Sequence, residues 1–303
     1  MVFPQSFYSG RRSPMNVKRL IINADDLGAD EARNAGIFEA IRAGIVTSAS
    51  ILPNGPGYPD ALKKIQSGSF KNVSWGVHLN LSEGKPVSAN PLPLLGPDGV
   101  FLGKVPSQRL LMRQGDRDLE NEIAREIDAQ ITLLETSGIP LSHVDGHQHV
   151  HVFPAVLREM IGVARKHHIP WVRIPDEPEP TSPDFTLPPS VREEARFFTR
   201  LGQTARPLIA ASGLHATDHF YGLYLKGYFS IRSLESVLRC LPDGLTELMA
   251  HPGRVTENPL ETPFSSFSTP DREQELETLL NTKLRIILKG RKIILTPFPE
   301  NPC

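Results

Sequence analysis

The sequence predicts an α/β protein folded as a (β/α) barrel or a distorted relative of one. Three observations carry that expectation. About eight strand-like runs alternate with helical patterns, 303 residues with 39% hydrophobic content suffice for one large core, and the residues with chemistry collect just after the runs. Alternation of this kind implies parallel strands, and such barrels gather their catalytic groups at the C-terminal strand ends.

The first strand, Arg19-Leu20-Ile21-Ile22, runs into Asn23-Ala24-Asp25-Asp26. From Glu31 to Ala43 the spacing of Ala32, Ala35, Ile37, Phe38 and Ile41 is helical, with Asp30 at the N-cap position and Gly44 closing the helix. Ile45 to Ile51 reads as the second strand and Asp60 to Gln66 as a helix. Val73 to Leu79 is the third strand, with Trp75, Val77 and Leu79 on one face and the small polar set Gly76, His78 and Asn80 on the other. After an insertion over Ser82 to Ser107 come a helix from Leu119 to Glu135, a strand from Leu141 to Asp145 and a helix from Ala155 to His168. The fifth strand, Trp171 to Ile174, leads into a second insertion, Pro175 to Pro189, and a helix from Ser190 to Ala211. Strands over Leu214 to Phe220, Leu245 to Ala250 and Lys292 to Thr296 complete the set, with helices over Leu234 to Leu241 and Asp271 to Leu280 between them. Insertions of this length serve as lids or binding loops, or equally as solvated connectors. Residues 1–17 are expected to be a flexible extension and 18–303 a single domain.

Composition excludes several classes. A formal net charge of −1, without an Arg/Lys stripe interleaved with aromatics, disfavours nucleic acid. No apolar run reaches the length of a membrane span, and the N-terminus lacks a signal-peptide core. Cys240 and Cys303 are too far apart to suggest a disulfide framework or a thiolate metal site, so a reducing, cytoplasmic setting is expected.

Chemistry concentrates in His143-Val144-Asp145-Gly146-His147-Gln148-His149-Val150-His151, which holds four of the ten histidines. If the stretch is extended, these alternate side chains converge on one surface, as a metal site requires; a solvent-facing polar edge is the alternative. Pro140, Leu141 and Val144 lead in like a buried strand, and Val152, Phe153 and Pro154 lead out like a helix start, which places the cluster on a strand-to-helix turn. Adjacent carboxylates after a buried strand are costly unless paired, protonated or bound to a cation, and Asp30 already fills the capping role, so Asp25 and Asp26 are free for other work. His78 looks from its polar strand face into a site or sits in the core. His251, at the tip of the seventh strand before Pro252-Gly253, is a proton donor to a leaving group or a turn histidine in water. Arg173 is a surface charge or the orienter of a carboxylate. Asp218 and His219 are expected at the end of the sixth strand. One carboxylate with two imidazoles makes an incomplete shell for a divalent ion, with positions left for water and substrate, and a second carboxylate can take the water's proton.

Five motifs in order resemble the YdjC-like carbohydrate deacetylases: Asn23-Ala24-Asp25-Asp26-Leu27-Gly28, Gly44-Ile45-Val46-Thr47-Ser48-Ala49-Ser50, Gly76-Val77-His78-Leu79, the histidine cluster, and His251-Pro252. That family includes chitooligosaccharide deacetylases and proteins of hopanoid biosynthesis. The resemblance spans most of the chain and implies a deformed (β/α) TIM-like barrel, similar to polysaccharide deacetylases, that hydrolyses an acetyl group from an N-acetylated sugar. It implies one divalent ion on Asp26, His78 and His147, with Asp25 as base; by analogy with the wider polysaccharide deacetylases, His251 is the acid and Arg173 orients Asp25. His149, His151, Asp145 and Asp218 are then contacts to ligand imidazoles or to sugar hydroxyls. Mg or Zn fits such ligands, as do Mn and Co. The implied partner is an acetylated sugar, and a homodimer stays open. The rival functions are another mononuclear metal hydrolase, such as a phosphoesterase or amidohydrolase, and a metal-dependent sugar-binding protein without turnover.

Overall fold

A computed structural model gives the fold, and residues 17–68, 70–89, 93–180, 187–256, 264 and 268–300 are described. All but the last residue of the expected N-terminal extension lie outside that range. The eight strands are β1 (Lys18–Leu27), β2 (Ser48–Ile51), β3 (Ser74–Leu79), β4 (Leu141–Gly146), β5 (Trp171–Val172), β6 (His219–Tyr221), β7 (Gly244–Ala250) and β8 (Ile293–Leu295). Every pairing between them is parallel.

The sheet runs β5-β4-β3-β2-β1-β7-β6, with β8 set against the start of β1. On one flank β7 pairs with β1 from Lys18 to Ala24; on the other, β8 takes Lys18 to Leu20 and β2 takes over from Asn23. The sheet curls until its edges meet through a short bridge, in which the Val172 N–H donates to the His215 carbonyl and the His215 N–H to that of Pro170, each at 2.8 Å. The result is a single-domain, deformed (β/α) barrel.

Helices α1 (Glu31–Arg42), α2 (Tyr58–Ser67), α3 (Lys104–Leu111), α4 (Arg117–Thr136), α5 (Pro154–Lys166), α6 (Pro189–Ala211), α7 (Ile231–Arg239), α8 (Pro270–Leu280) and α9 (Thr282–Gly290) surround the sheet. Their apolar stripes close over strands buried on both faces, as parallel strands must be: Leu20, Ile22, Ala49, Val77 and Val144 join Phe38, Ile127, Val156 and Leu276 in one core. No helix among the described residues is long and apolar enough to cross a membrane.

Two helices stand outside the sequence expectations: α3, inside the Ser82 to Ser107 insertion and beyond, and α9. The sixth strand is shorter than the expected Leu214 to Phe220 run, and its placement changes a site assignment. Asp218 precedes β6, and its Oδ2 accepts the Leu245 N–H at 2.7 Å at the start of β7. Gly244 pairs with Lys18, at the opposite end of β1 from Asp25. Asp218 and the neighbouring His219 therefore lie at the N-terminal end of the barrel, against the expectation that they end a strand near the chemistry.

Candidate active site

The site starts from an irregularity in β1. Pairing with β2 shifts register between Ala24 and Leu27, and Asp26 adopts φ 66°, a left-handed conformation that costs a non-glycine residue of order 1 kcal/mol or more. Both Asp25 and Asp26 are buried, so their carboxylates must find partners. Neither caps α1, because Asp30 does, with its Oδ1 accepting the Arg33 N–H at 2.7 Å.

Asp26 turns Oδ1 toward two imidazoles, at 2.8 Å from His147 Nδ1 and 3.3 Å from His78 Nε2, while Oδ2 lies 3.3 Å from the Arg33 guanidinium. These three ligand atoms lie within 4.8 Å of one another. Donors on one ion with bonds near 2.1 Å are separated by roughly 3 Å, so the set fits a divalent cation with little adjustment. His78 also shows the support such a ligand needs. Its Nδ1–H donates to Asp145 Oδ1 at 2.8 Å, which fixes the tautomer and leaves the Nε2 lone pair facing Asp26. Burial opposes charge on His78, but Asp145 and Asp26 carry its pKa up to about 10, so a cation there competes with a proton. A second group, Asp25 with His78 and Asp145, is equally compact. It is bridged by the Arg173 guanidinium instead, which leaves the Asp26 set as the one with room for an ion.

His147 owes its position to a turn. Strand β4 stops at Gly146, and His147–Val152 form a tight 3-10 turn with Gln148 and His149 at φ 53° and 56°. The alternation expected for an extended His143–His151 stretch therefore holds only for His143 and Asp145. The strand-to-helix turn is present, continuing into α5. Gly76 is required beside it, because a Cβ there would sit 2.3 Å from His143 Nε2.

Arg173 directly follows β5, and its backbone N–H continues the ladder to the Val144 carbonyl at 3.0 Å. Fully buried, it is no surface charge. Its guanidinium grips both oxygens of Asp25, at 2.6 and 2.7 Å, reaches Asp145 Oδ2 at 2.7 Å and donates from Nε to Glu247 Oε1 at 2.7 Å. Burial raises the Asp25 pKa and Arg173 pulls it back, with a net upward shift. The same cation and His78 hold Asp145 far below the usual carboxylate range against the opposing effect of burial. Glu247, which sequence reasoning missed, is pushed up by burial to about 7.

His251 follows β7, and its Nε2 lies 3.9 Å from Asp25 Oδ2. Its backbone N–H donates to Glu275, and burial, then the Arg272 charge, depress its pKa well below the usual imidazole value. Asp25, Asp26, His78, His147, His149 and His251 all open on one cavity of about 200 Å³, which Lys104, Phe198, Leu223, Lys226 and Arg272 help to line. The sequence reading missed Lys104, Lys226 and Arg272, which come from helices and loops remote from the motifs, and Arg33, which stands in the first turn of α1.

The remaining histidines separate. His149 is at the cavity, its ring edge-on to Phe198 with centroids 4.7 Å apart. His151 is buried behind it, and its Nε2–H donates to the Arg173 carbonyl at 3.0 Å. His143 stacks on Phe298 and meets Ser50 Oγ at 3.1 Å. Asp145 ties His78 to Arg173. Asp218 is not brought to this site.

Fold and site together define a (β/α)-barrel protein with an Asp-His-His donor set backed by an Arg-clamped carboxylate. The chain belongs to the YdjC-like family, whose model matches residues 19–290. It is 35% identical to a carbohydrate deacetylase of Mus musculus over 88% of this chain and 89% of that protein. A carbohydrate deacetylase of Brevibacillus brevis is 29% identical over 93% of this chain and 99% of its own length. Among solved structures, one from Enterococcus faecalis, provisionally named a cellobiose-phosphate cleavage protein, superposes with a TM-score of 0.68 at 25% identity, covering 93% of this chain and 98% of that one.

Proposed function

We propose that this protein is a metal-dependent deacetylase that hydrolyses the acetamido group of an N-acetylated carbohydrate. The observation that carries the reading is the convergence, in one cavity, of Asp26, His78 and His147 with an Asp25 held bidentately by Arg173. The names of the relatives support the substrate class.

A divalent ion on Asp26 Oδ1, His78 Nε2 and His147 Nδ1 would supply Lewis acidity, lowering the pKa of water and polarising the acetyl carbonyl. Asp25 takes a proton from the attacking water. Burial raises its pKa above that of a free aspartate, which makes it the stronger base, and the Arg173 fork keeps its lone pairs aimed. As the water oxygen bonds to the carbonyl carbon and the C–N bond breaks, the departing nitrogen needs a proton. His251 is placed to give it from Nε2. Because burial and Arg272 keep His251 neutral in the free protein, the proton it passes on comes from Asp25, 3.9 Å away. The products are acetate and the free amino sugar. The use of only two cysteines supports a cytoplasmic setting.

The test is acetate release from N-acetylglucosamine, its oligosaccharides and a panel of phosphate esters, with Mg²⁺, Zn²⁺, Mn²⁺ or Co²⁺ added after chelation. Acetate from the acetylated sugars, lost on chelation and restored by one of the ions, is expected. Phosphate release alone would favour the phosphoesterase reading, and sugar binding without acetate the non-catalytic one.

A further inference from the structure

We propose that Glu177 is a positioning residue that brackets the segment Gly222–Lys226 in place as a substrate-facing wall of the cavity. Glu177 comes four residues after Arg173, is 3% exposed and does not line the cavity. Its Oε2 accepts the backbone N–H groups of Gly222 at 3.0 Å and Leu223 at 2.6 Å. No ion pair to Glu177 forms among the described residues, and a carboxyl group so deeply buried is costly unless hydrogen-bonded or neutral. Burial pushes it up to about 8 despite the N–H groups, so it is a neutral carboxyl near pH 7.

The carboxyl group thus ties its own segment to Gly222 and Leu223, and the backbone of the same residue extends the tie to a third element at the back of the wall. On one side its own backbone meets Thr199 Oγ1 on α6, through the N–H at 3.4 Å and the carbonyl at 3.3 Å. That helix presents Glu194 and Phe198 to the cavity. On the other side is Gly222 at φ 135°, so close to β7 that a Cβ would come within 2.7 Å of the Met249 carbonyl. Leu223 and Lys226, just beyond it, face the cavity, and Lys226 Nζ lies 3.9 Å from Glu194. An apolar surface of Leu223 and Phe198 with an ammonium beside it suits the C–H face and hydroxyls of a pyranose ring. Glu177 acts on substrate only through this wall, so its loss should weaken binding more than turnover.

The substrate-facing part rests on the deacetylase reading; the bracket does not, and the experiment separates them. Hydrogen exchange of the Gly222–Lys226 amides is measured in the full chain for wild type, Glu177→Ala and Glu177→Gln, alongside kcat and KM for acetate release from an N-acetylglucosamine oligosaccharide. Faster exchange in this segment and a KM raised about tenfold with kcat within about threefold are expected for Glu177→Ala, with Gln restoring both. Unchanged exchange in Glu177→Ala overturns the bracket. Faster exchange with unchanged KM overturns the wall's role in binding. Should Glu177→Ala fail to fold, Leu223→Ala removes the wall side chain alone, and an unchanged KM there has the same consequence. A wild type that releases no acetate removes the deacetylase reading while exchange still decides the bracket.

Discussion

Asp26 shows how much of the candidate site is set by single residues. Its left-handed backbone is a conformation few side chains tolerate, and it leaves Oδ1 facing His78 and His147 while Oδ2 faces Arg33. The adjacent carboxylates, His78 and the histidine cluster were legible in the sequence, because motif spacing and strand polarity are local properties. Glu247 was not, because it matters through a contact to Arg173 made across the barrel, and Arg33 was not, because the turn that swings it back onto Asp26 from the start of α1 carries no motif. Asp218 failed for the same reason in reverse: its position after an apolar run suggested a strand end that the chain reaches only three residues later. Arg173 supports a sharp expectation at this scale. Lysine keeps the charge but cannot grip both oxygens of Asp25 while reaching Asp145 and Glu247. Arg173→Lys should lower kcat for acetate release by about 10- to 100-fold with bound metal unchanged. Wild-type turnover in that variant would show that the clamp on Asp25 is dispensable.

At the scale of elements, all eight strands and their parallel direction follow from apolar runs spaced by helical patterns, while the pairing of β7 with β1 does not. The unforeseen helices bury few residues. In α9 only Leu284 and Leu288 are buried, one turn apart, while Ile286 is 69% exposed, and α3 carries a proline and buries little more than Ser107 and Leu111. Burial in these two is decided by what lies beneath them, which local spacing does not encode. The β3–β4 contact is legible in hindsight as a size match, since Gly76 opposite His143 leaves the space that the imidazole fills. Adding a methyl group there forces the ring or the strand to move, so Gly76→Ala should destabilise the fold by about 1–3 kcal/mol in denaturant melts. A neutral substitution would mean that the two strands have slack.

For the whole molecule, the buried polar interior makes stability depend on pH. Burial lowers the pKa of His143 and of His151 to about 3, whereas an unfolded histidine titrates near 6.5. Between those values the unfolded chain binds protons that the folded chain refuses. The contribution of these two rings is thus complete above about pH 6.5 and falls as pH drops toward 3, by about 1.4 kcal/mol per pH unit for each ring at most, while Glu177 and Glu247, raised by burial to about 8 and about 7, slope the opposite way between about pH 4.5 and those values. The His143 part is isolated as the difference between wild type and His143→Gln in denaturant melts between pH 7 and 4, where the wild type should lose stability more steeply, or gain less, on acidification; an unchanged slope in the variant would contradict the assignment. The central claim concerns how the barrel divides labour between neighbours, with Asp26 holding an ion and Asp25 moving a proton. Bound metal per chain and acetate release, measured together on Asp25→Asn, test it most directly. The account predicts one ion bound as in wild type and turnover reduced by about 10²- to 10⁴-fold; full turnover with metal bound would contradict it.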